Sequence, residues 1–279
     1  MTTPPAPFPP RLHVLLASNA PLGLVLRRGP SKQVATIHWD RHNDAFEVGQ
    51  WLKGRIYERR SDLSPDGKYF LYFAMNGQWE SEARGSWTAI SRAPYLKALA
   101  LFPKGNGWHG GGLWTGKRTY WLNDGYGHGV LRSTTEVQRD LAYSPPQLYG
   151  GECPGVYYPR LLRDGWTLRE RIQVAKWKDV FIFEKWVAHG WALRKLAHAE
   201  VDAPPGKGVY WDEHELLHRA SGETIACPDW EWAELDGKRL VWAAGGKLWA
   251  ARLKGDGLMG QRELFDFRGM VFAPLRAPY

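Results

Sequence analysis

Short apolar runs, separated by turns that contain glycine, proline or asparagine, follow one another along most of this chain. Within the first 51 residues, such runs occupy positions 12–17, 22–26, 34–39 and 45–51. Runs of this length, bounded by turn residues, are typical of β-strands. The pattern therefore predicts four strands here, enough for one small antiparallel sheet.

The same pattern continues towards the carboxyl end. Residues 69–73 form a continuous apolar run, which predicts a strand buried on both faces, and further strands are expected at 87–91 and 96–102. Between positions 230 and 253, apolar segments are separated by Asp236-Gly237 and Gly245-Gly246. Such dipeptides between apolar segments are strong hairpin signals. Little of the chain has the periodicity of an amphipathic helix. The segment 144–155 is expected to be a long loop.

Turn glycines recur at nearly constant spacing. Gly67 and Gly116 are 49 residues apart, as are Gly116 and Gly165, and Gly190 precedes Gly237 by 47. A period of 40–50 residues built on short strands is typical of propeller blades. We therefore predict an all-β protein, a β-propeller of about five four-stranded blades. In this interpretation the segment 270–274 pairs beside the first blade and closes the ring.

Two segments carry a family resemblance. Ser64-Pro-Asp-Gly-Lys-Tyr69 resembles the strand–turn–strand signature of TolB-like and WD-repeat-like bacterial β-propellers, and Asp236-Gly-Lys-Arg-Leu-Val-Trp242 is similar to the same unit. The resemblance implies a propeller that binds other proteins or captures a ligand. It implies no catalytic residue, because the shared positions are turn-formers.

Composition defines the ordered part of the chain. The 279 residues are 44% hydrophobic and 24% charged, which is typical of a folded, turn-rich protein. Residues 1–10 are rich in proline and are expected to form a disordered arm, followed by a single propeller domain over 11–279. No signal peptide and no apolar stretch of membrane-spanning length is evident. Cys153 and Cys227 are too few for a disulfide framework, so we expect reduced thiols and a cytoplasmic protein.

The formal net charge of +8 raises the question of nucleic-acid binding. The basic residues are scattered in ones and twos between acidic ones, and they form no run of five or more. Scattered charge favours solubility and weak attraction to polyanions, whereas a nucleic-acid interface needs a concentrated basic stripe. A dedicated nucleic-acid function is therefore not predicted, and neither is a cofactor.

One segment matches a metal-binding motif. His214-Glu-Leu-Leu-His218 has the spacing of the metalloprotease zinc signature, in which two histidines lie on one helical turn. The flanking segments instead predict a strand that ends in a turn at Ser221-Gly222. Two histidines at positions i and i+4 of a strand are about 13 Å apart, which is too far to share one zinc ion. A zinc hydrolase that uses His214 and His218 is therefore an alternative only.

A glycosidase is the second enzymatic alternative, because five-bladed propellers can hold paired carboxylates near the central channel. No two acids are marked as partners by the sequence. The candidate acids are Asp40, Asp62, Glu80, Glu152, Asp164 and Glu231.

The chain contains 16 tryptophans, several times the ordinary frequency. Many, such as Trp186, lie inside predicted strands and would fill the space between sheets. Others, such as Trp230, lie in loops, where tryptophan is enriched at binding hot spots. The loop residues Trp79, Trp108, His109, Tyr126 and His128 combine aromatic rings, imidazoles and glycine-rich backbone. We predict that they form the binding surface of a noncatalytic interaction platform for a protein partner, a subunit of a bacterial multiprotein system; a small-molecule or glycan ligand is also conceivable.

Overall fold

The computed structural model describes residues 8–30, 32–125, 127–147, 149–254 and 257–279. These residues form five separate β-sheets and one α-helix, so the predicted all-β class is confirmed. No helix in this part of the chain has the length and apolar character needed to cross a membrane. Of the proposed disordered arm, residues 1–7 lie outside the described residues, and Pro10 is buried beside Gly29 and Gly246.

The first sheet is the predicted four-stranded antiparallel unit. Its strands pair in sequence order, and the apolar runs of the first three strands are buried. The strands are β1 (Arg11–Leu16), β2 (Leu22–Arg28), β3 (Gln33–Asp40) and β4 (Ala45–Lys53).

The second sheet is built around β7, the strand predicted to be buried on both faces. All of its residues except the last are buried, which confirms that prediction. The sheet contains five strands, because two short segments pair with β7 at different positions. Its elements are β5 (Arg55–Ile56), a short 3-10 helix (Glu58–Arg60), β6 (Asp62–Leu63), β7 (Tyr69–Met75), β8 (Ser86–Arg92) and β9 (Ala98–Pro103).

The third sheet departs from the predicted four-stranded unit. It has three short strands, and β11 pairs with β12 in parallel. These strands are β10 (Gly112–Trp114), β11 (Thr119–Leu122) and β12 (Gln138–Arg139). Glycine-rich sequence provides few side chains for strand packing, and most of the described residues between positions 123 and 152 are irregular.

A helix, α1 (Cys153–Arg163), begins inside the expected loop of residues 144–155 and extends beyond it, where no helix was predicted. Pro154 lies at its start, where the missing N–H is tolerated, but Gly155 and Pro159 both disfavour a helix by local propensity. The helix is stabilised by burial, because Tyr157, Tyr158 and Leu161 pack into the core shared by the last two sheets. The prediction that residues up to Gly155 form a loop was therefore wrong at its end, and the helix was missed.

The last two sheets have five and four antiparallel strands. The fourth contains β13 (Thr167–Ala175), β14 (Lys178–Ala188), β15 (Trp191–Glu200), β16 (Tyr210–His218) and β17 (Thr224–Ala226). The fifth contains β18 (Trp232–Asp236), β19 (Arg239–Ala244), β20 (Lys247–Lys254) and β21 (Gly257–Asp266). The glycines of the predicted hairpins, Gly237, Gly245 and Gly246, have φ angles of 61°, 60° and 77°, which confirms both turns.

The regular glycine spacing corresponds only in part to equivalent turns. Gly67, Gly116 and Gly237 each lie between the two strands of a hairpin. Gly190 also lies in a hairpin, between β14 and β15, whereas Gly165 follows α1 and precedes β13. The interval of 49 residues from Gly116 to Gly165 therefore separates two different kinds of turn.

Apolar clusters join sheets that are neighbours in the sequence. The first and second sheets share one cluster, the second and third share another, and the fourth and fifth share a third that includes α1. A fourth cluster joins the first sheet to the fifth through residues such as Val14, Trp39 and Val241. The chain ends are thus brought together by packing.

The carboxyl-terminal segment follows the first sheet without pairing to it as a strand. The ring of Phe272 lies 5.8 Å from that of Trp51, and the side-chain amide of Gln50 donates a hydrogen bond of 2.8 Å to the Leu275 carbonyl. Tyr279 then reaches the second sheet, where its hydroxyl donates to the carbonyl of Lys97. The predicted proximity of residues 270–274 to the first unit is correct, but the predicted strand pairing is absent from this described segment.

Two glycines in the left-handed region of φ provide a stability test. A Cβ on Gly111 (φ +75°) would overlap the backbone carbonyl of Arg60, whereas one on Gly77 (φ +73°) would meet no atom within 4 Å. Both alanine substitutions impose the same backbone strain, but only Gly111→Ala adds a clash in a packed region. We expect Gly111→Ala to lower the free energy of unfolding by about 1–3 kcal/mol more than Gly77→Ala in urea titrations. Equal losses would contradict this account of Gly111.

Candidate functional site

Four residues predicted to form a binding surface lie in loops at the ends of the second and third sheets. Trp79 lies between β7 and β8, Trp108 and His109 lie between β9 and β10, and His128 follows β11. Tyr126, the fifth predicted residue, lies outside the described residues. We call Trp79, Trp108, His109 and His128 the tryptophan surface.

Trp79 is half exposed, and its ring lies directly on the backbone of Gly85, where a Cβ would overlap it. The loop that carries it is closed by its own hydrogen bonds. The N–H of Gly77 donates to the Gly85 carbonyl (3.1 Å), and the Ser81 hydroxyl donates to the Gln78 carbonyl (2.6 Å). An exposed ring on a closed loop loses little conformational freedom when it binds.

Trp108 is 63% exposed, and the backbone on both sides of it is fixed. The buried guanidinium of Arg60 donates hydrogen bonds to the carbonyls of Gly107 (2.7 Å) and His109 (2.6 Å). The N–H of Trp108 itself donates to Oδ1 of Asn106 (2.9 Å). The loop also adjoins the Trp79 loop, because a Cβ on Gly105 would lie 3.7 Å from the side chain of Arg84 in that loop.

The two histidines are half-buried, and each contacts residues of other segments of the chain. The His109 ring packs against the backbone of Gly125 and Gly151. His128 lies with its Nε2 3.4 Å from the Thr88 hydroxyl. Burial, together with the charge of Lys104, lowers the pKa of His128 to about 4, so its imidazole is neutral near pH 7. The rings of Trp79 and Trp108 therefore provide the exposed part of this surface, and the imidazoles support it.

Two further tryptophans are exposed on the fourth sheet, away from these loops. Trp177 lies in the β13–β14 turn, and Trp186 lies on β14, where 51% of it is exposed although the strand position predicted burial. Trp230, expected in a loop, is buried and stacks on Trp242 with ring centroids 4.7 Å apart. Strand and loop positions alone did not decide which rings are exposed.

A cavity of about 990 Å³, which the sequence did not predict, lies where the five sheets meet α1. Every sheet contributes to its wall, through Leu16 and Pro65 of the first two, Trp114 of the third, and Lys195 and Trp232 of the last two. Charged side chains line it as well, namely Arg41, Asp62, Arg160, Arg163, Asp164, Lys185, Glu234 and Asp236. A second cavity of about 750 Å³ is lined by His13, Arg28, Glu58, Arg59 and Asp212, among others.

A buried ionic network lies between the two cavities, and Asp212 on β16 is its centre. Its Oδ2 accepts a hydrogen bond of 2.7 Å from the Tyr157 hydroxyl and lies 3.1 Å from the Arg59 guanidinium and 3.8 Å from Nζ of Lys195. Burial raises the pKa of Asp212, but the charges of Arg59 and Lys195 outweigh this and lower it to about 2. The same burial lowers the pKa of Lys195 to about 8.

The segment 214–218 is extended, as predicted, since it lies inside β16. Nδ1 of His214 lies 3.0 Å from the Trp230 carbonyl, and its Nε2 lies 2.8 Å from Nζ of Lys195. A carbonyl can only accept, so Nδ1 carries the proton and Nε2 accepts from the lysine. Burial lowers the pKa of His214 to about 3, whereas His218 lies at the strand end beside Ser221. The helix that the metalloprotease motif requires is absent from these described residues.

Two of the six candidate acids of the glycosidase alternative meet in the larger cavity. Asp62 accepts two hydrogen bonds from Arg163 and one of 2.7 Å from the N–H of Trp114. Asp164 accepts from Nε of the same arginine at 2.8 Å, and burial raises its pKa. The other four do not line that cavity; they are Asp40, Glu80, Glu152 and Glu231. The guanidinium between Asp62 and Asp164 makes this pair an ion cluster.

The described ranges contain histidine, cysteine, aspartate and glutamate side chains, but these are not arranged in metal-binding clusters. No group of three or more histidine, cysteine, aspartate or glutamate side chains there has the arrangement to hold a metal ion. Both cysteines are buried and unpaired.

Comparisons with known proteins give little further information. No protein-family model and no curated protein matches this chain. Among solved structures, an uncharacterised protein, lmo1340, from Listeria monocytogenes EGD-e aligns over 90% of this chain and 65% of its own length, with 10% sequence identity and a TM-score of 0.30. A similarity of this size supports no statement about fold family or function.

Proposed function

We propose that this chain is a noncatalytic β-propeller that binds a protein partner through the tryptophan surface. The observation that carries the proposal is the exposure of Trp79 and Trp108 on two adjoining loops whose backbones are fixed by hydrogen bonds. Tryptophan is among the residues that contribute most to protein–protein binding energy, and pre-organised loops reduce the entropic cost of binding.

The propeller arrangement is supported by the order and packing of the sheets. Each of the five sheets is formed by consecutive strands, and three pairs of neighbouring sheets share apolar clusters: the first and second, the second and third, and the fourth and fifth. The first and fifth sheets share a cluster too, and all five line one cavity. A ring of sheets around a central channel accounts for these three features together.

A platform of this kind acts as a subunit of a larger assembly, which we propose to be a bacterial multiprotein system. Rigid sheets hold the binding loops in place, and the loops provide the specificity. The two buried, unpaired cysteines favour a reducing compartment, so we place the assembly in the cytoplasm.

Affinity capture from the native host with paired variants tests the partner surface. We expect wild-type protein to retain a defined partner and Trp79→Ala/Trp108→Ala to lose at least about tenfold in affinity for it, since each anchoring tryptophan typically contributes 2 kcal/mol or more. The matched control, Trp177→Ala/Trp186→Ala, removes two exposed rings from the fourth sheet and should retain the same partner.

Two results would reject the proposal. One is equal capture of the same proteins by both double variants, which would place the binding surface elsewhere. The other is a wild-type protein that captures no partner but hydrolyses a chromogenic glycoside, which would establish the glycosidase alternative.

A further inference from the structure

The larger cavity has the size and lining of a small-molecule site. Its volume of about 990 Å³ is at the upper end of the range usual for such pockets. Apolar side chains, among them Leu16, Trp114, Trp232 and Leu235, share its wall with charged ones. Such a wall suits a ligand that has both an apolar body and a charged group.

Most charges in the wall are already paired. Arg41 lies 3.0 Å from Asp236, and Lys185 lies 2.7 Å from Glu234. Arg163 contacts two acids, which are Asp62 and Asp164. These three cations thereby use all four acids of the wall, and two further cations remain, Arg160 and Lys195.

Arg160 is only 4% exposed, and its hydrogen-bond partners are all uncharged. Its guanidinium donates to the backbone carbonyls of Glu58 and Ser61 and, at 3.1 Å, to Nε2 of His13. Within the described ranges, no carboxylate oxygen forms an ion pair with it, whereas Arg163, one turn further along α1, has two carboxylates. A buried cation without a direct ion pair is unfavourable, and a bound anion that contacts it reduces that cost.

Lys195 is 1% exposed and lies beside the same ring as Arg160. The Tyr157 ring centroid is 5.2 Å from the guanidinium carbon of Arg160 and 6.0 Å from Nζ of Lys195. The nearest carboxylate to Lys195, Asp212, is 3.8 Å away and is shared with Arg59. Arg59 also pairs with Glu58, which in turn pairs with Arg28. Two acids therefore serve three cations, and the region between the two cavities carries excess positive charge.

We propose that the larger cavity binds a small organic carboxylate. Its charge pairs with Arg160 and Lys195, and its apolar body packs against Trp114 and Trp232 of the wall. The carboxylate supplies the counter-charge that Arg160 lacks, and its two oxygens match the planar donor geometry of a guanidinium. This site is separate from the tryptophan surface, and its test does not depend on a protein partner.

Isothermal titration of the whole chain tests the site with defined probes. A panel of aliphatic and aromatic monocarboxylates, from acetate to decanoate and from benzoate to indole-3-acetate, is titrated beside the neutral amide of each acid and inorganic phosphate. We expect at least one carboxylate to bind, and its amide to bind at least tenfold more weakly.

Three variants locate the binding. Arg160→Gln removes the unpaired charge, and Ser18→Trp narrows the cavity at an exposed position of its wall without changing any charge. Each of these two substitutions should lower the affinity for the carboxylate at least tenfold. Arg171→Gln, on the exposed strand β13, removes one positive charge outside this wall and should change affinity less than twofold.

Several outcomes overturn the inference. They are the absence of binding across the panel, equal affinity for an acid and its amide, and binding of phosphate alone. A loss of carboxylate affinity in Arg171→Gln equal to that in Arg160→Gln would also overturn it. If Arg160→Gln does not fold, as judged by circular dichroism, Ser18→Trp alone decides: unchanged carboxylate affinity in that variant excludes the cavity.

Discussion

Replacing Asp212 by asparagine is expected to lower the free energy of unfolding by about 3–5 kcal/mol, the range found when one partner of a buried ion pair is removed. The carboxylate lies between Arg59 and Lys195, both of which are buried, and it also accepts the hydroxyl of Tyr157. Asparagine keeps an acceptor for Tyr157 but removes the negative charge. Among the described residues, Lys195 would then have no carboxylate within ion-pair distance, and Arg59 would keep only Glu58, at 3.4 Å.

A matched control separates this effect from any loss of a negative charge. Asp179→Asn, at the start of β14, removes the partner of Arg171, whose side chain is more than half exposed. Exposed ion pairs contribute little, so this variant should lose no more than about 1 kcal/mol. Urea unfolding at pH 7 measures both variants. Similar losses in the two would show that the Asp212 network contributes no more than a surface ion pair.

Acidification from pH 7 to pH 5 is expected to lower the free energy of unfolding, and His214 alone supplies about 2 kcal/mol of the loss, to which His13 adds. Both imidazoles are buried and accept a hydrogen bond from a cation, Arg160 for His13 and Lys195 for His214. Burial is the main cause that lowers the pKa of each, to about 3 for His214 and well below the ordinary value for His13.

The sign follows from proton binding. In the unfolded chain both histidines titrate near pH 6.5, so between that pH and the lower folded pKa the unfolded state binds more protons. The free energy of unfolding therefore falls as the pH falls through this window. Asp212 does not contribute there, because its folded pKa of about 2 keeps it charged in the native state and its ordinary unfolded pKa lies below pH 5.

Stability measured in urea at pH 7 and pH 5 tests this prediction. His214→Gln should reduce the difference between the two pH values by about 2 kcal/mol, since glutamine does not titrate. The control His42→Gln, in the exposed β3–β4 turn, should leave the difference as it is in the wild type. An unchanged difference in His214→Gln would show that His214 is not held neutral in the fold.

Two residues of the tryptophan surface, Trp79 and Trp108, could be predicted from the sequence, because they lie in loops and are also exposed. Trp79 and Trp108 lie in segments rich in glycine and polar residues, which cannot bury a large ring by strand packing, and both are exposed. The sequence did not distinguish them from Trp230, which also lies in a loop but stacks on Trp242. Nor did it reveal that the imidazoles of His109 and His128 are half-buried, because residues distant in sequence contact them, Gly151 for His109 and Thr88 for His128.

Local pattern was sufficient to predict several strands and hairpins of this protein. Alternation, buried apolar runs and turn glycines such as Gly237 and Gly245 act between residues close in sequence, so β1–β4, β7 and β18–β20 could be predicted from it. The helix α1 was decided by tertiary structure, since its prolines and glycine oppose a helix and only the surrounding core stabilises it. The cavity and its ionic network were decided in the same way: Arg160 meets His13 across 147 positions of sequence, and Tyr157 meets Asp212 across 55. Contacts at such separations exist only after the sheets have packed, and no local pattern encodes them.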